Sequence, residues 1–241
     1  MLPTLPVALR DNRSRARAAR LVFLLLALIS AALVAISLLT PPQTGPDDEV
    51  PPAATMLYAA TGLAGVLYLV LLVGSYVALI MWLRRAYYNL HQLPGIYPEY
   101  SDGWAAGAWF VPFINLARPY TIMREVWNDT QRAAVGQVAE PATILGWWWA
   151  AFILKFIVGR ITWAMTKGSD SNFSQLDLTA TALDAGAQVL VAGFTWYIIG
   201  RIARFEEQLT LSQQLAQLGQ PAPIQDPSAT EQSNYGYPEG Y

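Results

Sequence analysis

Three ionisable side chains stand inside runs that are otherwise uncharged: Lys155 and Arg160 within residues 144–166, and Asp184 within 178–200. At mid-depth in a bilayer each costs on the order of 2.5–3.5 kcal/mol, so each is expected to find a partner. The chemistry such groups could perform is the passage of an ion or a proton. Aligning the two runs as an antiparallel hairpin, with Thr166 beside Leu178, sets Arg160 level with Asp184 and Lys155 level with Val189, beside Gln188. Asp184 and Gln188 are four residues apart and share a helix face. Lys155 and Arg160, five apart, differ by about 140° around theirs. The expectation is a direct Arg160–Asp184 pair, with Lys155 turned toward Gln188 or toward Tyr68, Ser75 and Tyr76. One acid and two bases make a poor cation relay, so a register lock between helices is the simpler reading of the cluster.

Other chemistry finds little support. There is no cysteine and a single histidine, which excludes disulfides, thiolate nucleophiles and a multi-histidine metal site within one chain. His91 has no acid–base partner at a fixed spacing and reads as a surface or interface residue. No glycine-rich phosphate loop, GxSxG or HExxH occurs, and Glu206-Glu207 reads as a solvated helix face. No enzymatic activity, cofactor, metal or nucleic-acid partner is expected.

The elements that must position the charged cluster are legible in the composition. Of the 241 residues, 54% are apolar and 13% charged, about half the charge typical of soluble domains. Four apolar runs predict an all-α integral membrane bundle: 21–39, 56–83, 144–166 and 178–200. The first is nineteen residues long, about 29 Å as a helix, and follows a basic segment 1–20. It exceeds the apolar region of a secretory signal and lacks a cleavage site, so it reads as a retained anchor. The second run has small residues at four-residue spacing, Ala60/Ala64 and Gly74/Ala78, which suit ordinary close helix packing. Residues 41–55, with five prolines and three consecutive acids, predict an extended loop, as does the polar stretch 167–177. Lys167 is the one basic residue in these two loops, whereas the termini and residues 84–143 carry twelve. That asymmetry places both termini in the cytoplasm of a bacterial plasma-membrane protein. The fourth helix is expected to continue through 206–218 along Ile202, Phe205, Leu209, Leu211, Leu215 and Leu218, before a disordered tail 219–241.

Between the second and third runs lies a segment, 101–128, apolar enough to enter a bilayer and too short to cross one. Its fifteen apolar residues 103–117 reach only about 22 Å as a helix, which suits an interfacial or re-entrant element. Arg84-Arg85 before it and Arg118 and Arg124 after it share one sign, which opposes a crossing. Pro112 should kink or split it, Ser101 or Asp102 cap its start, and Pro119 begin the next helix. That helix groups Ile122, Met123, Val126 and Trp127 on one face. Trp104, Trp109, Tyr120 and Trp127 are rings expected at headgroup depth. Two uses remain open: a plain element packed under the bundle, or a surface for anionic lipid headgroups or a membrane or cytoplasmic protein partner.

WLRRAYYNL (82–90), YSDGWAAGAWFVPFINLARPYTIMREVW (100–127) and LGWWWA (145–150) together resemble the bacterial membrane family catalogued as domain of unknown function 4328. The resemblance covers roughly residues 56–205 and implies a four-helix membrane module without an assigned activity. Trp82, Arg85, Ala86, Asn89, Trp104, Pro112, Asn115, Pro119 and Glu125 match its pattern. All of these but Ala86, with Trp109, Arg118 and Trp127, form the candidate interfacial surface; Lys155, Arg160, Asp184 and Gln188 form the candidate intramembrane cluster.

Overall fold

A computed structural model describes residues 9–40, 51–166 and 175–218. The loop cores at 41–50 and 167–174 and the tail 219–241, expected as extended or disordered, lie outside the described residues, as do residues 1–8. Every regular element described is helical: α1 (Arg13–Leu39), α2 (Pro52–Leu90), α3 (Trp104–Gly107), a 3-10 turn (Ile114–Leu116), α4 (Arg118–Val135), α5 (Thr143–Thr166) and α6 (Gln175–Leu218). Four of them, α1, α2, α5 and α6, are long and apolar enough to cross a membrane.

The helices outrun the apolar sequence that predicts them. α1 starts at Arg13 rather than at Leu21, so Arg13, Arg15, Arg17 and Arg20 of the basic segment are helical. α2 starts at Pro52, where proline's fixed φ and missing N–H suit a first turn, not at Met56 as expected. It continues past Arg84-Arg85 to Leu90 because that last stretch has its own buried stripe of Ala86, Tyr87, Asn89 and Leu90. α6 runs unbroken for 44 residues, about 66 Å. Its stripe is buried through Ile202, Phe205 and Leu209, while Leu211, Leu215 and Leu218 are exposed.

α1 is the hinge of the bundle. Its stripe Ala16, Ala19, Phe23, Leu26 and Ser30 repeats every three to four residues, with Ser37 two turns further on the same face, and α1 packs on α2 and α6. α5 packs on the other side of α6, so the order around the bundle is α2, α1, α6, α5. α2 and α5 approach through the Tyr76–Phe152 edge contact and the Lys155–Tyr68 contact, and an open groove of about 800 Å³ lies between them. α4 lies across the basic end, against α2, α5 and α6. Its apolar face is buried at Ile122, Met123, Val126 and Trp127, and Gly136, at φ +79°, ends it in the left-handed conformation that glycine adopts without strain.

The segment before α4 is not one kinked helix. A single turn of helix, α3, is followed by tight turns and the 3-10 turn. Pro112 has no N–H, and Phe113 next to it is held at φ +64°, a strained conformation for a bulky side chain. The start is capped by backbone, with Trp104 N–H donating to the Ser101 carbonyl, rather than by a Ser101 or Asp102 side chain. Pro119 takes its expected place in the first turn of α4.

Candidate functional site

The residues expected to share one surface divide into three sets. Trp82, Arg85 and Asn89 make their hydrogen bonds with the chain entering α1 and not with the 104–127 segment, although Trp82 shares the buried core with Ala105, Ile122 and Met123. Asn89 donates its side-chain amide to the Arg10 carbonyl (2.9 Å) and accepts from the Arg10 N–H (3.0 Å). Arg85 reaches the Asp11 carbonyl, and Asn12 donates to the Trp82 carbonyl and to the Glu206 carboxylate. Trp82 is fully buried and Asn89 nearly so. Neither is available to a partner: α2 stays helical beyond its apolar run and turns these side chains inward.

A second set is a hydrogen-bonded joint. The Tyr87 hydroxyl donates to Glu125 Oε2 at 2.6 Å and accepts from the Tyr100 N–H at 3.1 Å. His91 spans the same turn, with Nδ1 2.9 Å from the Tyr87 carbonyl and Nε2 2.9 Å from the Tyr100 carbonyl. Burial raises the Glu125 carboxyl above the usual carboxylate range, against the pull of the Tyr87 hydroxyl, and burial likewise raises the Tyr87 phenol. Arg118 lies over the Trp104 ring (4.0 Å) and near the Tyr100 ring (4.6 Å), tying the start of α4 to this joint. Pro119 and Trp127 are buried; Trp127 donates to the Glu140 carbonyl at 3.1 Å. Gln131 exchanges hydrogen bonds with both backbone groups of Glu140, whose carboxylate pairs with Arg201. Gln131, Glu140 and Arg201 carry no sequence signal, because the pair joins positions 61 apart.

The third set is the tip 109–116, which reaches along α5. Trp109 meets Trp149 and Phe152 edge-on, and Trp149 donates to the Leu116 carbonyl at 3.1 Å. Phe110 and Phe113 are 75% and 87% exposed; Pro112 is exposed and Asn115 half-buried, both lining the groove between α2 and α5. Every backbone amide from Trp104 to Phe110 and from Ile114 to Ala117 donates to a nearby carbonyl between residues 101 and 114.

Among the intramembrane charges, Asp184 pairs with Lys155, not with Arg160 as the hairpin alignment predicts. The alignment itself is close, since a Cβ at Gly159 would lie 3.9 Å from Asp184. The error is rotational. Lys155 and Gly159 share a face, the glycine leaves space, and the long lysine spans one turn to the carboxylate. Arg160, about 100° further round, is exposed and lies 5.2 Å from the Trp163 ring. The Tyr68 hydroxyl is 3.5 Å from Lys155 Nζ. Gln188 is buried and shares with Lys155, Ser75 and Thr195 a small cavity of about 20 Å³. Beyond the pair, a wider cavity of about 370 Å³ is lined by all four long helices and reaches Asp184.

Comparison with known proteins adds a family and no activity. No curated protein and no solved structure matches the chain. The family described as "Domain of unknown function (DUF4328)" matches residues 48–207, which take in α2 through most of α6 and every interaction of the joint, the tip and the charged pair. With two thirds of its length inside that match, the chain belongs to the DUF4328 family.

Proposed function

We propose that this chain is a multi-pass protein of a bacterial plasma membrane with both termini in the cytoplasm, and that it works as a non-catalytic structural or regulatory module. Its working surface is the 101–128 segment with the exposed face of α4, offered to lipid headgroups or to a protein partner. The tip carries this reading: Phe110 and Phe113 project outward while the amides on either side of the tip, 104–110 and 114–117, are already hydrogen-bonded. Backbone whose polar groups are satisfied internally can enter a low-dielectric layer at little cost. Arg118 and exposed Arg124 follow directly in α4, as suits a boundary between acyl chains and anionic headgroups. The orientation rests on the basic residues gathered at one end of the bundle. The chain has no cysteine, so a single Gln137→Cys can be labelled with a membrane-impermeant maleimide. Labelling only after permeabilisation is expected; labelling of intact cells would reverse the topology. A photo-crosslinker at Phe113 is expected to recover lipid or one protein, and recovery of neither would remove the tip from the account.

A second reading, a small transporter or channel component using Lys155, Arg160 and Asp184, is favoured by the 370 Å³ cavity ending on Asp184. Against it, Phe23, Leu79 and Trp148 crowd the small cavity on the other side of the pair. Proteoliposomes of the purified chain are expected to show no ion flux above protein-free vesicles; flux abolished by Asp184→Asn would favour this second reading.

A further inference from the structure

Arg20 stands immediately before the first apolar run, and Gly200 closes the fourth. The antiparallel packing of α1 on α6 sets these residues opposite each other, for a Cβ at position 200 would lie 3.1 Å from Arg20 Cζ. Glycine here lets the guanidinium lie against the backbone of α6, and the Trp196 ring covers it at 4.0 Å. The side chain is therefore oriented and half-buried, yet its Nε is buried without a hydrogen-bond partner. A guanidinium has five donors and no acceptor, and burying a charged donor unpaired is unfavourable. Arg17, one turn earlier on α1, and Arg204, one turn beyond Gly200 on α6, are exposed. Among the described residues no carboxylate pairs with Arg17, Arg20 or Arg204. The acids further along α6 are engaged elsewhere: Glu207 by Arg13 at 3.5 Å and Glu206 by Asn12. On the apolar side, Leu24 and Leu28 continue the face of Arg20 and are 46% and 58% exposed.

We propose that the α1–α6 seam at Arg20 binds the phosphate of an anionic phospholipid. The guanidinium of Arg20, flanked by Arg17 and Arg204, supplies the donors that match phosphate oxygens, and Leu24 and Leu28 receive the acyl chains. The site is separate from the 101–128 surface and rests on the membrane placement given above, which topology labelling reads independently.

The test uses the full chain in phosphatidylcholine nanodiscs with and without a minor fraction of phosphatidylglycerol. Phosphatidylglycerol is expected to raise the unfolding temperature by roughly 2–4 °C. Arg20→Gln loses most of that rise, and Arg20→Lys, which keeps the charge without the fork, keeps only part of it. Arg132→Gln, which removes an equal charge from the last turn of α4, keeps all of it. Should Arg20→Gln fail to fold, the Arg17→Gln/Arg204→Gln double variant, altered at exposed positions only, is expected to lose part of the rise. The absence of a rise, an equal loss in Arg132→Gln, an undiminished rise in both the Arg20 and double variants, or an equal rise from inorganic phosphate in phosphatidylcholine discs would each overturn the proposal.

Discussion

The Tyr87 hydroxyl and the Glu125 carboxylate meet at 2.6 Å across the junction of α2 and α4, and the same hydroxyl accepts the Tyr100 N–H. One oxygen thus joins the end of a membrane-length helix, the residue that leads into the 101–128 segment and the amphipathic helix α4. Tyr87→Phe leaves a half-buried carboxyl without its side-chain donor, the Glu99 backbone remaining, and an amide without its acceptor. A loss of about 1–3 kcal/mol is expected, read by thermal unfolding in detergent. In a cycle with Glu125→Gln the two changes should be non-additive; strict additivity would show that the contact contributes nothing.

Stability should depend on pH through Glu206. Burial pushes its carboxyl up from 4.5 to about 7, and the Asn12 amide opposes the shift only in part. A carboxyl with a raised folded pKa binds more protons folded than unfolded, so its contribution is greatest below 4.5 and is lost as pH rises through about 7. The unfolding temperature is expected to fall between those values, by an equivalent of no more than about 3 kcal/mol. Glu206→Gln should flatten that part of the profile. An unchanged slope in the variant would assign the dependence to another group.

Removing the acid from the Lys155–Asp184 pair leaves the ammonium without its counter-charge, with only neutral polar groups such as the Tyr68 hydroxyl near it. Both groups retain some exposure, so Asp184→Asn is expected to cost roughly 2–3 kcal/mol, below the range for fully buried pairs. Arg160→Gln, at an exposed position, should cost less than about 0.5 kcal/mol. Adding Lys155→Gln to Asp184→Asn should recover part of the loss. Comparing the three variants by thermal unfolding decides between the two arginine and lysine partners, and a larger effect of Arg160→Gln would restore the pairing expected from the alignment.

The Glu140–Arg201 pair ties the connection between α4 and α5 to α6. Each single reversal, Glu140→Arg or Arg201→Glu, is expected to lower the unfolding temperature by setting like charges together. The double reversal should restore most of it, and failure of that rescue would show that the Gln131 hydrogen bonds to the Glu140 backbone hold the connection without the ion pair.

Hydropathy determined the four long helices, and amphipathic spacing determined the buried face of α4, because both are local properties that the chain carries wherever it folds. Pro112 and Pro119 marked a break and a start for the same reason: a missing N–H acts on its own turn. Only the tertiary structure decided which side chains face one another. The alignment of α5 with α6 was nearly right in height, yet a rotation of about 100° per residue gave Asp184 to Lys155 and left Arg160 outside. The Asn89–Arg10 clamp, 79 positions apart, and the Glu140–Arg201 pair, 61 apart, left no mark in local spacing. Axial position along a helix is set by composition, whereas azimuth and long-range pairing are set by how the helices close on one another.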